Sequence, residues 1–194
     1  EPVEHMNVRV NWSKTLARPT FRELAPVAAI EVLQGDEFFG NPALKLSHIT
    51  NYDLRWEWFP AQGDVLSASA FYKEIVDPIE LISFGAGGRT FVQPVNYSKG
   101  IAYGLEIEAR GSMQRLWGKL AGLTAGINGT WLKTEVDVPL SEQVSLKDFG
   151  LDQAKRRLAG QPEYLLNASL TYDNPDRGTS AGLFYNLVGE TVVS

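Results

Sequence analysis

The sequence predicts an all-β protein: an antiparallel transmembrane β-barrel, here a partial barrel of about seven strands with long outer loops and short periplasmic turns. Three observations carry that prediction. Seven segments alternate apolar and polar residues with a period of two, so each is a strand with one apolar and one polar face. The connections alternate between long and short, as they do in outer-membrane barrels. Trp12, Tyr52, Trp58, Tyr72, Trp131, Tyr164 and Tyr172 fall toward the ends of the apolar faces. A ring with a polar tip is stable at the membrane–water boundary.

The segments follow in order. In the first, Val8, Val10 and Trp12 alternate with Arg9, Asn11 and Ser13. In the second, Tyr52, Leu54, Trp56 and Trp58 alternate with Asn51, Asp53, Arg55 and Glu57. The third sets Leu66, Ala68, Ala70 and Tyr72 against Ser67, Ser69, Phe71 and Lys73. The fourth sets Ile101, Tyr103, Leu105, Ile107 and Ala109 against Ala102, Gly104, Glu106, Glu108 and Arg110. Leu123 to Trp131, Tyr164 to Tyr172 and Ala181 to Leu187 repeat the pattern. Each repeat spans about 9–11 residues, enough for a tilted strand to cross the bilayer core. Glu106 and Glu108 share a face opposite Leu105 and Ile107. That face must be the lumen, because carboxylates in lipid are costly.

The connections Ala17–Ser47, Ile75–Pro94 and Glu135–Gln161 are long and fall at one end. Pro60–Asp64, Gly111–Ala121 and Asn174–Gly178 are shorter and fall at the other. Loops beyond about 12–15 residues are uncommon in compact soluble domains. The chain has no Cys, which excludes a disulfide framework or thiolate metal site. It also has no apolar run near the 18 residues of a membrane helix. The mean hydropathy of -0.16 decides nothing, since barrel strands give half their residues to a polar lumen. The net charge of -5 argues against a nucleic-acid partner. An odd strand number and two unpaired edges suit no lipid environment. The expectation is therefore that residues 1–194 are a piece of one barrel domain.

The run Arg18-Pro19-Thr20-Phe21-Arg22-Glu23-Leu24 resembles a motif of TonB-dependent outer-membrane receptors. Gly40-Asn41-Pro42-Ala43-Leu44-Lys45, followed by Asn51-Tyr52-Asp53-Leu54, is similar to the family's next landmark, a turn feeding a returning strand. Asn96-Tyr97-Ser98, Tyr103-Gly104-Leu105-Glu106-Ile107-Glu108 and Gly160-Gln161-Pro162 with Tyr164–Tyr172 continue in the family's order. Where the family often carries an acidic residue or Asn, this chain has Ala43, and where it often carries Pro, Leu46; both lie at a loop tip. The resemblance implies an arc late in a barrel of 22 strands, with about three strands to follow. It also implies an N-terminal plug domain and a TonB-ExbB-ExbD complex as partners besides outer-membrane lipid, neither the plug nor the last strands lying within this sequence. The implied function is active uptake of a scarce, bulky nutrient such as a ferric siderophore, cobalamin or an oligosaccharide, without covalent chemistry and without a cofactor.

Ligand contacts are expected in the long outer loops, by position. Phe38, Phe39, Phe84 and Phe91 are candidates, with Arg89 and with Arg156 of the basic run Lys155-Arg156-Arg157, which could meet an anionic ligand or lipopolysaccharide. Catalytic readings find little support. His5 and His48 are far apart and lack partners for a metal site. Gly85–Arg89 lacks the Gly-Lys-Ser/Thr ending of a phosphate loop and reads as a loop tip. No nucleophile elbow occurs. The alternatives are a passive porin or barrel enzyme, and a soluble all-β binding module, which would need an apolar interior.

Overall fold

A computed structural model describes residues 5–30, 37–86, 89–140, 142–143 and 154–192. Of the expected loop tip Gly85–Arg89, Gly87 and Gly88 lie outside them, as do residues 141 and 144–153 of the third outer connection. The main sheet runs in the order β1 (Met6–Ala17), β4 (Ser47–Trp58), β5 (Val65–Val76), β8 (Lys99–Ser112), β9 (Leu123–Asp137), β11 (Tyr164–Asn174) and β12 (Thr179–Val188). Every neighbouring pair is antiparallel. These are the seven segments read from the sequence, in sequence order. Among the described residues the path is open, with β1 and β12 at its edges.

Register turns the alternation of each strand into continuous rows. One row crosses the whole sheet as Val8, Trp56, Ala68, Ile107, Gly129, Leu166 and Leu187. The adjacent row reads Asn7, Glu57, Ser67, Glu108, Asn128, Asn167 and Asn186. A one-residue slip at any strand would put carboxamides and carboxylates among the apolar side chains, so the pattern fixes the register.

Burial is inverted relative to a soluble protein. Val10 is 80% exposed, and Trp12, Leu54, Leu105, Ile107 and Leu183 are exposed as well. The buried residues include Asn51, Glu57, Ser67 and Thr134. Apolar side chains left outward in such numbers are stable only against lipid. Among the described residues of the membrane band, the apolar interior that a soluble sandwich requires is therefore missing; the buried apolar groups Ala102, Val136 and Val138 lie above the aromatic belt. Trp12, Tyr52, Tyr72 and Tyr103 form one row across four strands. Ring centroids in successive pairs from Tyr52 through Tyr72 and Tyr103 to Trp131 lie 6.3–6.5 Å apart, a belt at the upper edge of the apolar band.

The strands outrun the sequence-based estimate. β9 has 15 residues and β8 has 14, because pairing continues above the aromatic belt, where lipid no longer dictates the outward residue. The second outer connection is likewise strand for most of its length. β6 (Ile79–Ala86) and β7 (Arg89–Asn96) form a hairpin that prolongs β5 and β8 outward. A break at Asp77, whose φ is 53°, and Pro78 separates the hairpin from the wall. The first connection contributes a short helix α1 (Phe21–Leu24) and strands β2 (Ala28–Ile30) and β3 (Glu37–Phe39). β3 adds in parallel to β7, giving an outer sheet in the order β2-β3-β7-β6. β10 (Lys155–Arg156) pairs with the top of β9.

Candidate functional site

Two surfaces carry polar chemistry: the lumenal wall and the outer layer above it. On the wall, Arg55 is the hub. Its guanidinium lies 2.8 Å from Glu57 and 3.6 Å from Glu108, and it donates to Ser69 at 3.0 Å. Arg9 reaches Glu57 from the next strand at 3.1 Å. Asn11 donates to Asp53 at 3.1 Å. Farther round, Asn167 donates to Asn128 at 2.7 Å, and Asn186 donates to Asn167. Glu106 and Glu108 face this side, as the sequence required. Gly104 sits between them and the belt for a steric reason. A Cβ there would lie 2.2 Å from the Trp131 carbonyl and 2.7 Å from the Phe71 ring, so Gly104 admits that ring over the sheet.

The first two family-like motifs meet at the base of the outer layer. Thr20 and Glu23 form a reciprocal cap on α1: the Glu23 N–H donates to the Thr20 hydroxyl at 3.3 Å, and the Thr20 N–H donates to the Glu23 carboxylate at 2.6 Å. Arg18 and Pro19 lead into this cap, Pro19 ending the pairing of β1. Gly40 passes so close beneath that a Cβ would stand 2.0 Å from the Ala25 carbonyl oxygen. The Asn41 N–H donates to the Glu23 carbonyl at 2.6 Å, and its side chain donates to the Pro94 carbonyl at 3.1 Å. Ala43 closes a turn onto the Asn41 side chain at 3.0 Å, directly after Pro42. Phe21 itself is 95% exposed.

The outer-loop candidates separate into two groups. Glu37 pairs in register with Phe91, and Phe91 with Phe84, so these share one face with Phe39 and Arg89 two residues away. Phe84 and Phe91 stack with centroids 5.6 Å apart, and Arg89 pairs with Glu37 at 2.6 Å. Phe38 points to the opposite, buried face beneath the Arg22 guanidinium, 4.2 Å from its ring centroid. Arg156 is mostly buried. It bonds Glu80 at 2.9 Å and the Tyr97 oxygen at 3.0 Å, and it lies over the Tyr97 ring. Tyr97 in turn donates to Glu142, and the Ala159 N–H donates to Glu80 at 3.2 Å. Burial, then the bond to the Glu142 carboxylate, pushes the Tyr97 phenol up to about 12. Glu80 and Glu142 escaped the sequence reading, and Tyr97 entered it only as part of a family-like motif. The available signal was a lone carboxylate in the apolar run Ile79-Glu80-Leu81-Ile82, since a charge placed there needs a buried partner.

An amphipathic antiparallel wall with its charges on the concave side defines a transmembrane β-barrel protein. A sequence model of the family described as TonB dependent receptor-like, beta-barrel, matches residues 1–194, and the chain belongs to that family. It is accordingly an outer-membrane barrel wall. Among solved structures, the siderophore receptor PirA from Pseudomonas aeruginosa is similar at a TM-score of 0.59 and 17% identity, over 96% of this chain and 28% of PirA. The copper transporter OprC is similar at a TM-score of 0.65 and 15% identity, over 95% of this chain and 24% of OprC. The Serratia marcescens hemophore receptor HasR is similar at a TM-score of 0.55 and 15% identity, over 97% of this chain and 30% of HasR. The chain thus spans under a third of the length of these structures, and at such identities the likeness is one of fold. No curated protein sequence matches the chain.

Proposed function

We propose that the chain is part of the wall of an outer-membrane receptor that takes up a scarce, bulky nutrient, with energy delivered by TonB-ExbB-ExbD through an N-terminal plug. The observation that carries this is the family match over residues 1–194. The wall supports it. Paired charges and carboxamide rows suit a hydrogen-bonding protein surface such as a plug better than a free diffusion path. Structures of similar fold are named for a siderophore, copper and a hemophore, which favours a metal chelate over an oligosaccharide as cargo. Phe39, Phe84, Phe91 and Arg89 are the residues we assign to first contact with ligand. Phe38 and Arg156 hold the outer layer together instead.

The test is accumulation of a radiolabelled ferric siderophore by cells producing the full-length receptor, with and without TonB. Uptake that requires both receptor and TonB is the expected result. Equal uptake without TonB would mean a passive pore.

A further inference from the structure

We propose that the turn between β8 and β9 is a binding site for one phospholipid of the periplasmic leaflet. The turn consists of two single 3-10 turns, Met113–Arg115 and Gly118–Leu120. Asp64, from the neighbouring turn, ties it to the wall. It accepts the Ser112 N–H at 3.1 Å and pairs with Arg115. Held in this way, Leu116 and Met113 border a shallow apolar concavity with Ala109, Gly111, Ala125 and Ile127. Ala109 pairs in register with Ile127, and Gly111 with Ala125, so the floor belongs to the lipid-facing rows of β8 and β9. Ala109 and Ala125 leave a dent in the outer wall, the space over Gly111 being filled by the Asp64 carboxylate, and Leu116 borders its periplasmic end.

The surroundings specify the occupant. Leu116 is 79% exposed and Trp117 is 58% exposed, a costly arrangement in periplasmic water and a favourable one in lipid. The Lys119 ammonium lies 5.6 Å from the Trp117 ring centroid, while the charge of Arg115 is taken up by Asp64. Trp117 follows Leu116 directly in the chain, so an indole carrying an ammonium continues the series that the apolar dent begins, in the order of a phospholipid: acyl chain, interfacial glycerol, phosphate. Short turns face the periplasm, so the lipid is a phospholipid of the inner leaflet rather than lipopolysaccharide.

Native mass spectrometry of the full-length receptor, extracted from outer membranes into mild detergent, tests this site. The expected result is one retained phospholipid. Lys119→Glu and Ala125→Phe should each lower its occupancy by at least about tenfold. Barrel assembly is checked in each by heat-modifiable migration. Should Ala125→Phe fail to assemble, Ala125→Leu fills the same dent with a smaller side chain. Absence of a bound phospholipid in the unmodified receptor, or its retention in either variant, would overturn the proposal.

Discussion

Arg156 and Glu80 form an ion pair in which neither side chain is much exposed, at 15% and 7%. Removing one member of such a pair strands a buried charge, which typically costs about 3–5 kcal/mol. Arg156→Met should therefore loosen β6 and β10 by that amount, visible as faster amide exchange there. Arg156→Met combined with Glu80→Leu should recover most of the protection. Tyr97, in the same cluster, has its phenol raised from the usual 10 to about 12, chiefly by burial. A raised acid is favoured in its neutral form by the fold. Its contribution is complete below pH 10 and is lost as pH climbs toward 12. The difference in phenolate absorbance between the receptor and its Tyr97→Phe variant should titrate near 12, and a midpoint near 10 would contradict the burial argument. Gly104→Ala tests a second residue. The added methyl meets a backbone carbonyl that cannot swing aside, so a loss of about 1–3 kcal/mol in unfolding stability is expected.

At the scale of elements, the wall and the outer layer were unequally legible. The wall strands could be read because lipid on one side and polar groups on the other impose alternation on every residue. Val8-Arg9-Val10-Asn11-Trp12 leaves no other regular reading. The hairpin β6–β7 escaped because both its faces meet protein or solvent, so Ile79-Glu80-Leu81-Ile82 and Phe91-Val92-Gln93-Pro94 do not alternate cleanly. The parallel addition of β3 to β7 sets Glu37 opposite Phe91, residues too distant in the chain for sequence spacing to reveal. Of the candidate site, position alone drew attention to the outer loops. It could not separate Phe38, turned inward, from its neighbour Phe39, turned outward, because both precede the same glycine. The two faces of a wall strand should respond very differently to charge. Ile107→Arg, on the lipid face of β8, should cost about 2–4 kcal/mol of folding stability in bilayers. Glu106→Gln, one residue away on the lumenal face, should leave folding stability near its original value.

For the whole molecule, the decisive property is that polar residues sit on the concave side and apolar ones outside. Every functional assignment above depends on that orientation: the lumenal hub at Arg55, the outer face of Phe84 and Phe91, and the lipid site beside Leu116. The sequence supports a direct test, since this chain contains no cysteine. Single cysteines placed at each position from Ile101 to Arg110 except Gly104, in a full-length receptor with any cysteine outside this chain replaced by serine, would carry spin labels in native outer membranes. Collision with oxygen, which dissolves in lipid, and with a water-soluble nickel chelate would then be compared along the strand. Oxygen access should peak at 103, 105 and 107, with the chelate favoured at 106 and 108 wherever the lumen admits it. Uniform access to the chelate along the strand, or oxygen peaks at the glutamate positions, would contradict the account.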